Sequence, residues 1–196
     1  MTAATTTASP EVPVLSLDDH RPSRRARRRL NRQMLLRDET NARLAELNVL
    51  ASILRDAAEV SRAGWLQHSW FAYIDHQGRS RTVRAHNVSE MTSRPVVGAC
   101  LVGAVVQAGG GMAQLKTQTV QRALDLTWHT LFDGGAELDR WTAAPSVRVQ
   151  HVQQLTRWND HPSRTASQVE KLLRDSAKAA QSQASQHRGR LEQQHH

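Results

Sequence analysis

Between Gln33 and Arg62 the apolar residues Leu44, Leu47, Leu50, Ile53, Leu54, Ala57 and Ala58 recur at three- and four-residue steps. That is the period of a helix with one wide apolar face. Arg43, Glu46, Arg55, Asp56, Glu59 and Arg62 fill much of the remaining surface. Thr40 or Asn41 is placed to cap a restart of this helix, because either side chain can accept from the free amides of a first turn. Gly64 is placed to end it. The apolar face is expected to pack within its own domain, and residues 43–62 also offer a surface for pairing with a second copy.

After Gly64 the period changes. Trp65, Trp70, Phe71, Tyr73 and Ile74 crowd into ten residues, then come Asp75-His76-Gln77-Gly78 and Thr82-Val83-Arg84-Ala85. An aromatic run, a glycine turn and a second alternating run predict a β-hairpin within residues 65–86. Pro95 opens a small-residue apolar stretch, Val96 to Ala108, read as a buried helix containing Cys100 and broken by Gly109-Gly110-Gly111. A further helix is predicted from Leu115 to Phe132, with Leu115, Val120, Ala123, Leu124, Thr127, Trp128 and Leu131 inward. Glu137 to Ala144 suits a short helical turn around Trp141. Ser146 to Leu155 is a weaker helix with Val149, Val152 and Leu155 facing the core. Trp158 to Arg164 reads as a loop, because the residue before Pro162 is biased toward extended backbone. Thr165-x-x-Gln168 is a capping box, and Val169, Leu172, Leu173 and Ser176 stripe the helix behind it. The fold class is therefore mainly α with a small antiparallel β-hairpin, an α+β arrangement in one compact domain.

Composition sets the limits of that domain. The chain has 196 residues and is 39% hydrophobic, below the usual globular share of about 45–50%. The deficit lies at the ends, where residues 1–23 and 178–196 have little to bury against the entropy of ordering. The expected organisation is a disordered tail over 1–23, an arginine-rich arm over 24–42, a domain over 43–177 and a disordered tail over 178–196. No apolar run reaches the roughly 18 residues needed to span a bilayer. One cysteine and no leader pattern predict a reducing, cytoplasmic setting.

Charge adds the next feature. The net charge of +8 is concentrated in Arg21, Arg24, Arg25, Arg27, Arg28, Arg29 and Arg32, a stretch without an acidic residue. Residues 1–20 carry −3 and residues 178–196 carry +2, which leaves +2 on 33–177. The basicity thus belongs to an appendage, and these seven arginines are the expected polyanion-binding residues, for nucleic acid or an acidic protein surface. The arm has no aromatic residue for stacking on bases, which argues against sequence-specific readout. From 21 to 32 its one large apolar residue is Leu30, too little for an amphipathic membrane helix.

Four strings stand out in order: Gly64-Trp65, Asp75-x-x-Gly78, Ala99-Cys100-Leu101-x-Gly103-Ala104 and Trp158-Asn159-Asp160-x-Pro162-x-Arg164-Thr165. On these strings the chain resembles an uncharacterised actinobacterial family of domains of unknown function, over roughly residues 43–177. Ser163 departs from it, since the family more often has glycine there, and Ser93 to Val97 is less typical. The resemblance implies domain limits and order of elements, and no activity.

The candidate chemistry is thin. Cys100 near a helix start, with a histidine as base (His86 among the candidates) and an Asp or Asn as orienter (Asp160 among them), would make a cysteine-dependent hydrolase or transferase. The competing reading makes Cys100 a packed small hydrophobe. Trp158, Asn159, Asp160 and Arg164 likewise have two readings. In one, Trp158 anchors the loop, Asn159 and Asp160 form an Asx-type turn, and Arg164 pairs with Asp160. In the other, Asp160 and Arg164 belong to a polar ligand site. No His-x-x-x-His or Cys-x-x-Cys pair exists for a metal, and no Gly-Lys-Ser/Thr follows the triple glycine to hold a nucleotide, so neither metal nor cofactor is expected. The function expected is a small binding or regulatory module. The exposed parts of Trp65, Trp70, Phe71 and Tyr73 are a second candidate binding surface.

Overall fold

The computed structural model describes residues 23–84, 87, 94–134 and 144–193. It divides into two units, residues 1–36 and 37–196. The fold is mainly helical with a small three-stranded antiparallel sheet, as the sequence pattern predicts.

The first helix, α1, spans Arg24–Ala63. It starts at Ser23, whose Oγ accepts from Ala26 N at 3.2 Å. It passes through Thr40 and Asn41 without the expected restart. Arginine is among the better helix formers, so the arm has the propensity to continue the helix toward its N-terminal side. Leu47, Leu50, Leu54 and Ala57 are fully buried in the core of the chain itself. The apolar face of residues 43–62 is thus covered by the chain's own elements.

The hairpin forms as predicted from β1 (Phe71–Ile74) and β2 (Ser80–Val83), paired antiparallel with Phe71 opposite Val83 and Ile74 opposite Ser80. Gly78 takes φ +73° at the turn, a conformation glycine adopts without steric cost. A third strand, β3 (Val96–Ala99), completes the order β2-β1-β3. This corrects the reading of Val96 to Ala108 as one helix. Val96 and Val97 are β-branched, and Gly98 permits a backbone approach that a side chain would block, since a Cβ there would lie 2.9 Å from Gly64 O. Only from Leu101 does the apolar run become helical, as α2 (Leu101–Ala108). Residues 101–106 of α2 are all buried, as a helix that is apolar on every side must be.

The helix predicted over Leu115–Phe132 begins later, as α3 (Gln118–Phe132), after a 3-10 turn at Met112–Gln114. The next, α4 (Pro145–Asn159), is longer than predicted at both ends and includes Trp158 and Asn159 in its last turn. Its buried positions are His151, Leu155 and Asn159, one turn apart, whereas Val149 is 55% exposed. The apolar residue was the wrong guide there: the helix turns its polar His151 inward because Asp125 of α3 waits to receive it.

The last helix, α5 (Ala166–Gln193), starts at a reciprocal capping box. Thr165 N donates to Gln168 Oε1 at 3.1 Å and Gln168 N to Thr165 Oγ1 at 3.3 Å. The tail expected from 178 onward is replaced through Gln193 by this helix, in which Ala177, Ala180 and Ala184 are buried. Alanines at helical spacing bury little area each but let a neighbour come close, and alanine is the best helix former. The tail expected over 1–23 and the turn expected around Trp141 lie outside the described residues, apart from Ser23 and Ala144.

Candidate functional site

Three of the strings singled out in the sequence meet at one side chain, Asn159. Its Oδ1 accepts from Trp65 Nε1 at 2.9 Å and from the backbone amide of Leu101 at 3.1 Å. Its Nδ2 donates to Leu66 O at 3.0 Å and to Asp160 Oδ1 at 2.9 Å. The residue is fully buried, and its amide makes four hydrogen bonds, which removes the cost of taking it out of water. The same carboxylate oxygen of Asp160 accepts from the backbone amide of His68 at 2.9 Å. That bond holds His68 at φ 60°, an uncommon conformation for a residue with a side chain. Gln67 Nε2 donates to the carbonyls of Asn159 and His161 at 3.2 and 2.9 Å. Ala99 N donates to Gly64 O at 2.7 Å and Leu66 N to Ala99 O at 3.2 Å. The segment 64–68, the β3–α2 junction and the end of α4 are thereby tied into one knot.

This differs from the local Asx-type turn expected of Asn159 and Asp160. Both side chains reach across more than 90 positions of sequence. Arg164 does not turn to Asp160 either. Its guanidinium lies 4.0 Å from the centroid of the Trp158 ring and its Nε donates to Trp158 O at 3.3 Å. The planar cation stacks on the indole face.

Cys100 sits at the edge of the knot, as the residue preceding α2. It is 2% exposed, and its Sγ accepts from Gly103 N at 3.4 Å, the position of a helix cap. Burial pushes its thiol up to about 12, and the nearby negative charge of Asp160 pushes in the same direction. A nucleophilic cysteine needs the opposite. Asp160 is thus brought near Cys100, but its charge opposes thiolate formation. His86, the third candidate, lies outside the described residues. Among the described residues no group of three metal-ligating side chains converges, and no helix is long and apolar enough to cross a membrane.

The arm is α-helical from Arg24 onward, and Arg24, Arg25, Arg27, Arg28, Arg29 and Arg32 are all exposed. Arg21 lies outside the described residues. Of the aromatic candidates, Phe71 and Tyr73 are buried, and Trp65 and Trp70 are half-buried.

Sequence reasoning passed over a second polar cluster, between α3 and α4. Asp125, 6% exposed, is 3.0 Å from His151 Nδ1 and 3.4 Å from Arg148 Nε. Trp128 stacks on the His151 ring at 3.9 Å between centroids. Arg122 meets Glu46 of α1, which also binds Arg43 at 2.8 Å. The available signal was Asp125 itself, an acid between the inward positions Leu124 and Thr127. A carboxylate there is buried only with a partner.

These features define a small helical α+β module organised around a buried asparagine. Residues 46–179 match the model of a family of unknown function, DUF6197, and the chain belongs to that family. No curated protein and no solved structure matches the chain.

Proposed function

We propose that the chain is a binding module that contacts nucleic acid through the arginine-rich start of α1. One observation carries this reading: six exposed arginines within nine residues of helix, none with an acidic partner among the described residues. Unpaired surface cations on a regular scaffold neutralise phosphates and release their counterions. Nine residues of helix span about 13 Å, and a helix fits the major groove of a duplex. Leu35 and Leu36, both exposed, do not share the Leu30–Met34 stripe, so basic and apolar positions are not segregated as a membrane-surface helix requires.

The contact is with the phosphate backbone, and sequence preference is expected to be weak. The reading of Cys100 as the nucleophile of a hydrolase or transferase is opposed by its burial and raised pKa. The test is fluorescence anisotropy of the full chain with a labelled 20-base-pair duplex, beside sedimentation with phosphatidylserine vesicles. Replacing all six arginines by glutamine is expected to weaken duplex binding at least a hundredfold. Equal duplex affinity of the two proteins, or binding to vesicles alone, overturns the proposal.

A further inference from the structure

A groove of about 520 Å³ opens beside the α3–α4 pair, and its walls are mostly apolar: Trp70, Leu115, Val149 and Val152. Its charged lining residues are Lys116 and Arg148, with no acid among the described residues that line it. A groove of this size matches a small organic molecule. The two cations decide which kind.

Arg148 is only partly satisfied. Its Nε is buried without a hydrogen-bond partner, although it stands 3.4 Å from Asp125 Oδ2. The single charge of Asp125 is divided, because its other oxygen faces His151 Nδ1 at 3.0 Å. Nearby, Arg122 is already engaged by Glu46, which also serves Arg43. Among the described residues, the wall of the groove therefore carries more positive than negative charge. Lys116 is exposed beside it.

We propose that this groove binds a small apolar carboxylate. Its hydrocarbon or aromatic part lies against Trp70 and the valines, and its carboxylate meets Arg148 and Lys116. A guanidinium presents several parallel donors to a carboxylate, and such charge-assisted hydrogen bonds are about twice as strong as neutral ones. The half-buried Trp70 supplies a flat apolar surface at one wall.

Calorimetric titration with 2-naphthoate and its neutral counterpart 2-naphthamide tests the assignment. The carboxylate is expected to bind the full chain at least tenfold more tightly than the amide. Lys116→Gln, at an exposed position, is expected to weaken 2-naphthoate several-fold. Arg148→Gln is expected to bring it to the level of the amide. Val149→Trp, also at an exposed position, fills the groove and is expected to abolish binding of both. Equal affinity for the two probes in the unmodified protein overturns the proposal, as does 2-naphthoate binding that neither glutamine variant changes. Absence of probe binding together with a dimer that Val149→Trp disperses also overturns it, and assigns the groove to a second copy of the chain.

Discussion

Replacing Asn159 by leucine keeps the number of side-chain heavy atoms and removes all of its hydrogen bonds. The indole Nε1–H of Trp65, the amide of Leu101 and the carbonyl of Leu66 then lose a partner inside the protein. Each such group costs about 1–3 kcal/mol when left unmade in the interior. Leu101 N is buried, whereas Trp65 and Leu66 are half-buried and recover part of the loss from water. The sum is about 3–5 kcal/mol, a large share of the roughly 5–15 kcal/mol that stabilises an ordinary domain. For a body of this size that lowers Tm by about 10 °C. Urea denaturation followed by circular dichroism measures it directly. Asn159→Asp is a second probe. It keeps the acceptor, loses the donor to Leu66 O, and places a second carboxylate beside Asp160 Oδ1. Its folded state favours the protonated acid, so its deficit relative to the parent is expected to grow as pH rises from 4 to 8. A loss below about 1 kcal/mol for Asn159→Leu, with an unchanged denaturant slope, would refute the role given to this knot.

The other predictions concern separate parts of the body. Cys100, enclosed and with its thiol pushed up to about 12, is expected to react with a charged thiol reagent only after denaturation. Cys100→Ser, which keeps an acceptor for Gly103 N, is expected to cost less than Cys100→Ala, which loses about 1 kcal/mol of cap; thermal melts rank the two. Gly103→Ala places a Cβ 2.2 Å from Trp70 O and 3.2 Å from the Phe71 ring. Neither obstacle is a flexible side-chain end, so a loss of at least about 2 kcal/mol is expected in the same melts. Asp75 is held down to about 2, first by the Arg79 amide and further by the Gln77 amide and the Arg81 and Arg79 side chains, against an ordinary value of 3.8. Its folded-state pKa is depressed, so its contribution is full above about pH 4 and is lost as pH falls through 2. Asp75→Asn is expected to flatten the acid side of the stability profile between pH 4 and 2.

Local signals were legible in the sequence where one residue type does one job. The hairpin turn at Asp75–Gly78, the Thr165–Gln168 capping box and the stop at Gly64 all follow from side-chain chemistry within a few positions. What depended on long-range partners was not. Val96–Ala99 looks helical beside α2, and becomes a strand because β1 and Gly64 offer it hydrogen bonds. His151 faces inward instead of Val149 because Asp125 lies on the opposite helix. Ala180 and Ala184 fall in the stretch that reads as a tail, since small residues reveal a packing face only when the neighbour is known. Asn159 stands out in the sequence, but its partners lie more than 90 residues away along the chain for Trp65 and 58 for Leu101.

The proposal that the arm contacts nucleic acid is tested most directly by the salt dependence of duplex binding. Each phosphate neutralised contributes about −0.9 to the slope of log K against log salt concentration. With most of the six exposed arginines engaged, the slope for the full chain is expected to be about −4 to −5. It should shrink toward zero when those arginines become glutamines. A slope that the six substitutions leave unchanged would contradict the account, because the charge doing the binding would then lie elsewhere on the chain.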